Sequence, residues 1–174
     1  DLYGAAIFGV GVEDFRLSGS ELSANLGGAC ESAGRPVAHG AVSLVSGSRG
    51  VTITGNTFTA HIAELGKYIG LSGAIYIEGA TGVLLGQNLF LQNMAGMNNG
   101  VGGALVVERS TAVQVDGNRM FDNHAADDDA AEPAPGGAVP INTPTDLRLA
   151  NNVMADNTTD AATALPLIGT HALT

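Results

Sequence analysis

Two glutamates, Glu78 and Glu108, are the residues whose spacing first suggests chemistry, because each stands five residues after a Gly-Ala pair, Gly73-Ala74 and Gly103-Ala104. If those pairs mark equivalent points of neighbouring stacked strands, the carboxylates lie roughly 5 Å apart, one strand spacing. That separation suits a retaining glycosidase, in which one carboxyl group is the nucleophile and the other the acid and base. The plainer reading is two exposed glutamates leaving a strand into a turn. The stretch Asp127, Asp128, Asp129 and Glu132 could gather oxygen ligands for Ca²⁺. It lacks the alternating Asp spacing and turn glycine of a calcium loop, and a charge run flanked by Ala and Pro reads as a solvated loop. Cys30 has only His39 near it in sequence, so it reads as a buried free thiol rather than a nucleophile. The histidines form no metal-ligand spacing. No cofactor is therefore expected, with Ca²⁺ at the acidic loop as the one alternative.

What would position these residues is a repeat. Residues 113–123, VQVDGNRMFDN, follow the template apolar-x-apolar-x-x-Asn-x-large apolar-x-x-Asn, which recurs at 51–61, 83–93 and 147–157 and, degenerately, at 15–25. Upstream of each copy lies a Gly-Ala pair and an alternating apolar strand, at Gly4, Gly40, Gly73, Gly103 and Gly137, spaced by 36, 33, 30 and 34 residues. From glycine to template asparagine the distance is 15 or 16 residues throughout. The length variation falls between the template's last position and the next glycine, where 14, 11, 9 and 13 residues intervene. Segments this short cannot bury an apolar face alone and must stack on copies of themselves. The expected fold is all-β, a right-handed parallel β-helix of about five coils of 30–36 residues, with long loops at one corner and a length of about 25 Å.

The period-two alternation assigns faces. In the first strand the inward pairs are Ala6 and Phe8, Val42 and Leu44, Ile75 and Ile77, Leu105 and Val107, Val139 and Ile141. Ile7, Ser43, Tyr76, Val106 and Pro140 then point outward. Phe15 and Leu17 begin the second wall, continued by Val51 and Ile53, Val83 and Leu85, Val113 and Val115, Leu147 and Leu149. A third wall stacks Leu22, Phe58, Phe90, Met120 and Met154. Asn56, Asn88, Asn118 and Asn152 occupy a sharp corner, where Asn and Gly tolerate a left-handed backbone and amides stacked one strand apart can hydrogen-bond along the column. They read as structural residues rather than ligand contacts. Within 62–72, the spacing of Ile62, Leu65 and Ile69 suggests a short helical turn packed on the rod. A sixth first strand is expected near Gly169, with Leu173 continuing the inward column.

The 174 residues are 45% hydrophobic and 14% charged, which suits a single domain over 1–174 with a continuous core. A net charge of −10 argues against nucleic acid or an anionic membrane as partner. There is no uninterrupted apolar run of membrane-spanning length, so direct membrane insertion is not expected. With neither end reading as an amphipathic cap, the chain is expected to be a section of a longer one, its neighbours being further coils or capping domains.

Gly-Gly-Ala-Leu at 102–105, Gly-Gly-Ala-Val at 136–139 and Phe-Leu-Gln-Asn at 90–93 resemble the repeats of the chlamydial polymorphic outer-membrane proteins, whose autotransporter passengers are adhesive β-helices. The likeness runs from about residue 40 onward and departs from strict form: Met120 and Met154 stand for Phe, His61 for Asn, and Ser72 for the first Gly. More broadly the chain is similar to the pectate-lyase-like superfamily. The resemblance implies an extracellular or cell-surface location and a glycan or cell-surface protein as partner. In lyases and hydrolases of that superfamily, carboxylates and bases project from the first strand into a groove. Here the outward positions of that strand offer none, Glu78 and Glu108 being nearest. Arg109 and Arg148 do not form the basic cluster a pectate lyase needs. Two readings follow: a non-catalytic rod presenting variable loops for adhesion or assembly and, as the alternative, a carbohydrate-active β-helix with its groove near Glu78 and Glu108.

Overall fold

In the computed structural model, which describes residues 6–27, 37–63, 69–96, 100–125, 137–142 and 144–159, the chain is a parallel β-solenoid of five rungs, or four turns. The first sheet contains β1 (Ile7–Val10), β5 (Val42–Val45), β9 (Ile75–Glu78), β12 (Leu105–Glu108) and β16 (Ile141–Asn142). The second has β2 (Arg16–Ser18), β6 (Arg49–Thr54), β10 (Thr81–Gly86), β13 (Thr111–Asp116) and β17 (Thr145–Ala150). β3 (Glu21–Ser23), β7 (Thr57–Thr59), β11 (Leu89–Leu91), β14 (Arg119–Phe121) and β18 (Val153–Ala155) form the third. Two smaller pairings flank the corner after the third sheet: β4 (Val37–His39) with β8 (Ile69–Ser72), and β15 (His124–Ala125) with β19 (Thr158–Thr159).

The expected walls are present where the register can test them. Leu17, Ile53, Leu85, Val115 and Leu149 align in the second sheet, and Leu22, Phe58, Phe90, Met120 and Met154 in the third. Phe58 and Phe90 stack with centroids 5.2 Å apart and planes 10° from parallel. The middle three rungs form the closed core, while Phe8, Leu149 and Met154 in the outer rungs are 40%, 39% and 38% exposed. A solenoid rung is sealed only by a neighbour on each side, which accounts for this gradient.

Four expectations are corrected. In the first rung Ile7, not Ala6 or Phe8, pairs with Val42 and packs on the core, and Phe8 aligns with Ser43 on the outer face. The Gly4-Ala5 pair is thus one residue out of phase with its counterparts, because the second coil holds an extra residue at its first turn, Ser46-Gly47-Ser48, where the third has only Gly79-Ala80. Secondly, Ser43, Tyr76 and Val106 do alternate outward, yet they are buried; β8 packs against β9 and β12. Thirdly, Ile69 begins a strand and not a helical turn, pairing with Val37 on the stem of the preceding loop. Finally, Glu78 and Glu108 belong to the outward face of the first strand, two residues beyond Tyr76 and Val106, so that face does carry carboxylates. Leu65, Cys30, Asp127, Asp128, Asp129, Glu132 and the strand expected near Gly169 lie outside the described residues.

The amide ladder runs Asn56 to Asn88 to Asn118 to Asn152, each Nδ2 donating to the next Oδ1 at 3.0–3.1 Å. The same Oδ1 accepts the backbone N–H of the asparagine before it, and Nδ2 of Asn88 also donates to the Ile53 carbonyl at 2.8 Å. Every polar atom of the buried amide is thereby used. The left-handed residue is the one preceding: Gly55, Gln87, Gly117 and Asn151 have φ between 55° and 66°. A second column, which the template marks only as its last position, runs through Asn25, His61, Asn93, Asn123 and Asn157. There too the preceding residue is left-handed, and it is Ala24, Ala60, Gln92, Asp122 or Asp156.

Candidate functional site

The period of the first strand places Tyr76 and Glu78 on one outward face, and parallel register sets Glu78 directly beside Glu108. The expected stacking of the two glutamates is therefore present, and a third residue joins them. The Tyr76 hydroxyl lies 3.1 Å from Glu78 Oε2 and 3.2 Å from Glu108 Oε2, so the carboxylates approach within about 6 Å of each other. Its single proton can serve one carboxylate at a time. Arg109, held in a left-handed turn at φ 47°, folds back to bond Glu78, and its Nη2 is 3.8 Å from Glu108 Oε2.

The electrostatics follow from burial. Tyr76 is enclosed, and burial first, then the Glu108 and Glu78 carboxylates, push its phenol far above the ordinary tyrosine range. It is a fixed hydrogen-bond donor, not a base. The hydrogen bond from Glu78, followed by its charge, raises the Arg109 guanidinium further still. His39, at the end of β4, lays its ring 4.2 Å from that of Tyr76 at a tilt of 36°. Burial lowers its pKa to about 4 despite the opposing pull of Glu78, so the ring is neutral at pH 7. Beside this cluster is a cavity of about 320 Å³, walled by Phe8, Val10, Leu71, His39, Tyr76 and Glu78. The side chains of Glu78 and Glu108 remain 32% and 19% exposed, enough to accept hydrogen bonds from a ligand hydroxyl.

Sequence reasoning found the two glutamates and missed their company. Tyr76 could have been found, since it precedes Glu78 by two residues and so shares its face. Arg109 stood next to Glu108 in sequence but bonds the glutamate of the neighbouring rung, a contact that spacing alone does not reveal. His39 arrives on a loop stem with no repeat signature. Among the described residues no group of three or more His, Cys, Asp and Glu side chains could hold a metal ion, and no helix is long and apolar enough to cross a membrane.

Compared with family models, curated proteins and solved structures, the chain matches none. The parallel β-solenoid thus rests on the chain's own repeat and register, and the likeness to the chlamydial repeats and to the pectate-lyase-like superfamily is a likeness of motifs.

Proposed function

We propose that this chain is a non-catalytic β-solenoid that presents variable segments from one corner for adhesion or assembly, at a cell surface or outside the cell. The observation that carries this reading is the internal closure of the Glu78–Glu108 pair. A glycosidase pair must leave the space between its carboxyl groups to the scissile bond; here the Tyr76 hydroxyl stands between them and Arg109 bonds one of them. The stems of the variable segments also stack in register, Leu26 beside Ile62, Ile62 beside Met94 and Met94 beside His124, so successive segments leave the rod in a row. A row of segments differing in length and sequence on a constant scaffold is a recognition surface in form. Its partner is a glycan or a cell-surface protein, and the surface location rests on the motif likeness alone.

The second reading, a carbohydrate-active β-helix, draws support from the convergence of Glu78 and Glu108 beside a cavity. The test is turnover of acidic and neutral polysaccharides, scoring new reducing ends and unsaturated products, with the Glu78→Gln/Glu108→Gln double variant as control. The expected outcome is no product from either protein. Cleavage by the parent chain that the double variant abolishes would replace the first reading with the second.

A further inference from the structure

The outer face of the second sheet carries a groove of about 620 Å³ that neither reading uses. Its floor is Gly86, the last residue of β10, flanked in register by Thr54 of β6 and Asp116 of β13. Thr54, Gly86 and Asp116 occupy one outward column, and only the middle one lacks a side chain. The fold does not impose that glycine. It is not among the residues with positive φ, and a Cβ placed on it would meet Thr54 Cγ2 at 3.4 Å and the Asp116 carbonyl oxygen at 3.6 Å, ordinary contacts. Glycine inside a strand weakens the sheet, and where packing does not require it, it marks a place where something else approaches. This differs from Gly40, Gly73 and Gly103, where a Cβ would collide with the carbonyl of the glycine one rung on.

The walls of the groove supply hydrogen-bonding groups already held in place. Gln114 Nε2 donates to Asp116 Oδ2 at 3.2 Å and Asn151 Nδ2 donates to Asp116 Oδ1 at 2.9 Å, which fixes both amides and the carboxylate. Among the described residues the carbonyl oxygens of these two amides accept no hydrogen bond. Leu84, on the same strand face as Gly86, adds an apolar patch. The lining thus has several acceptors, one apolar contact and a single charge, that of Asp116. Hydroxyl donors on a carbon ring satisfy all three. A carboxylated or sulfated chain would be repelled by Asp116 with no cation in the lining to offset it.

We propose that this groove binds a neutral oligosaccharide, seating one sugar ring over Gly86 between Thr54 and Asp116. The site lies on a different sheet from Glu78 and Glu108, so it stands whether or not those residues have a role. The test is titration calorimetry of the full chain with cellotetraose, xylotetraose, mannotetraose and maltotetraose, and with tetragalacturonate as the acidic comparison. The expected result is binding of at least one neutral tetrasaccharide, weakened at least tenfold by Gly86→Val and severalfold by Asp116→Asn, and unchanged by Glu78→Gln. Thermal melting checks that each variant is folded; because valine favours strands, Gly86→Val should melt no lower than the parent. Binding of none of the neutral sugars, preference for tetragalacturonate, or neutral binding that a folded Gly86→Val retains would each overturn the proposal. Should Gly86→Val fail to fold, the Asp116→Asn result decides.

Discussion

Asn88 shows what one residue contributes to this molecule. Its Oδ1 accepts from both the backbone N–H and the Nδ2 of Asn56, and its own Nδ2 donates to Ile53 and Asn118. Asn88→Ala removes all of these and strands buried partners on both sides, so a loss of about 3 kcal/mol or more is expected, measured by urea denaturation. Asn152→Ala, at a half-buried position in the last rung, should cost less. His61 is the exception within the second column. Its Nδ1 lies 3.1 Å from the backbone nitrogen of Asn25, while its buried Nε2 has no hydrogen-bond partner among the described residues. Burial holds its pKa down to about 4, with a smaller opposing pull from the Leu22 carbonyl. An asparagine there would donate to the Leu22 carbonyl and to Asn93, as Asn93 does to Phe58 and Asn123. His61→Asn should therefore stabilise the fold by about 1 kcal/mol.

At the scale of the element, the corners and walls were legible in the sequence to different degrees. The period-two alternation and the recurring asparagine told which strands exist and which faces turn inward, because burial on one side of a strand writes itself into every second residue. The corner before the second column was not legible, because its left-handed residues are Ala24, Ala60, Gln92, Asp122 and Asp156 rather than glycine or asparagine. Stacking on neighbouring rungs imposes that conformation against local preference. Replacing Ala60, at φ 54°, by glycine should relieve the strain and offset the added chain entropy, for a net gain of up to about 1 kcal/mol in unfolding free energy. The first-rung error has a similar origin: Gly4-Ala5 matches the motif locally, but register is decided by pairing with Val42. The site was half legible. Glu78 and Glu108 follow from repeat arithmetic, whereas Tyr76 between them and Arg109 across them require the side chains.

Over the whole molecule, each rung touches only its neighbours, and its stability follows from how many it has. Hydrogen exchange should find the slowest amides in β6, β10 and β13 and faster ones in β2 and β17, which end the same sheet. Uniform protection across all five would show that the outer rungs are sealed as well as the inner ones. Acid should act on the molecule as a unit. The folded pKa values of His39 and His61, about 4, lie below the ordinary value of 6.5, so between these limits the unfolded chain binds more protons than the folded one. Their contribution is complete above about pH 6.5 and lost as pH falls through about 4. The urea midpoint should decline over that window, and His61→Asn should decline less. The glycines at 40, 73 and 103 have a consequence of a different kind. Each rung presents the same notch to the next, and the same amide hook a few residues on. Removing or duplicating one whole coil leaves every interface matched, whereas a change of one residue between notch and hook misaligns two of them. The length of such a rod is therefore inherited in whole steps, set by how many times a stretch of its gene has been copied.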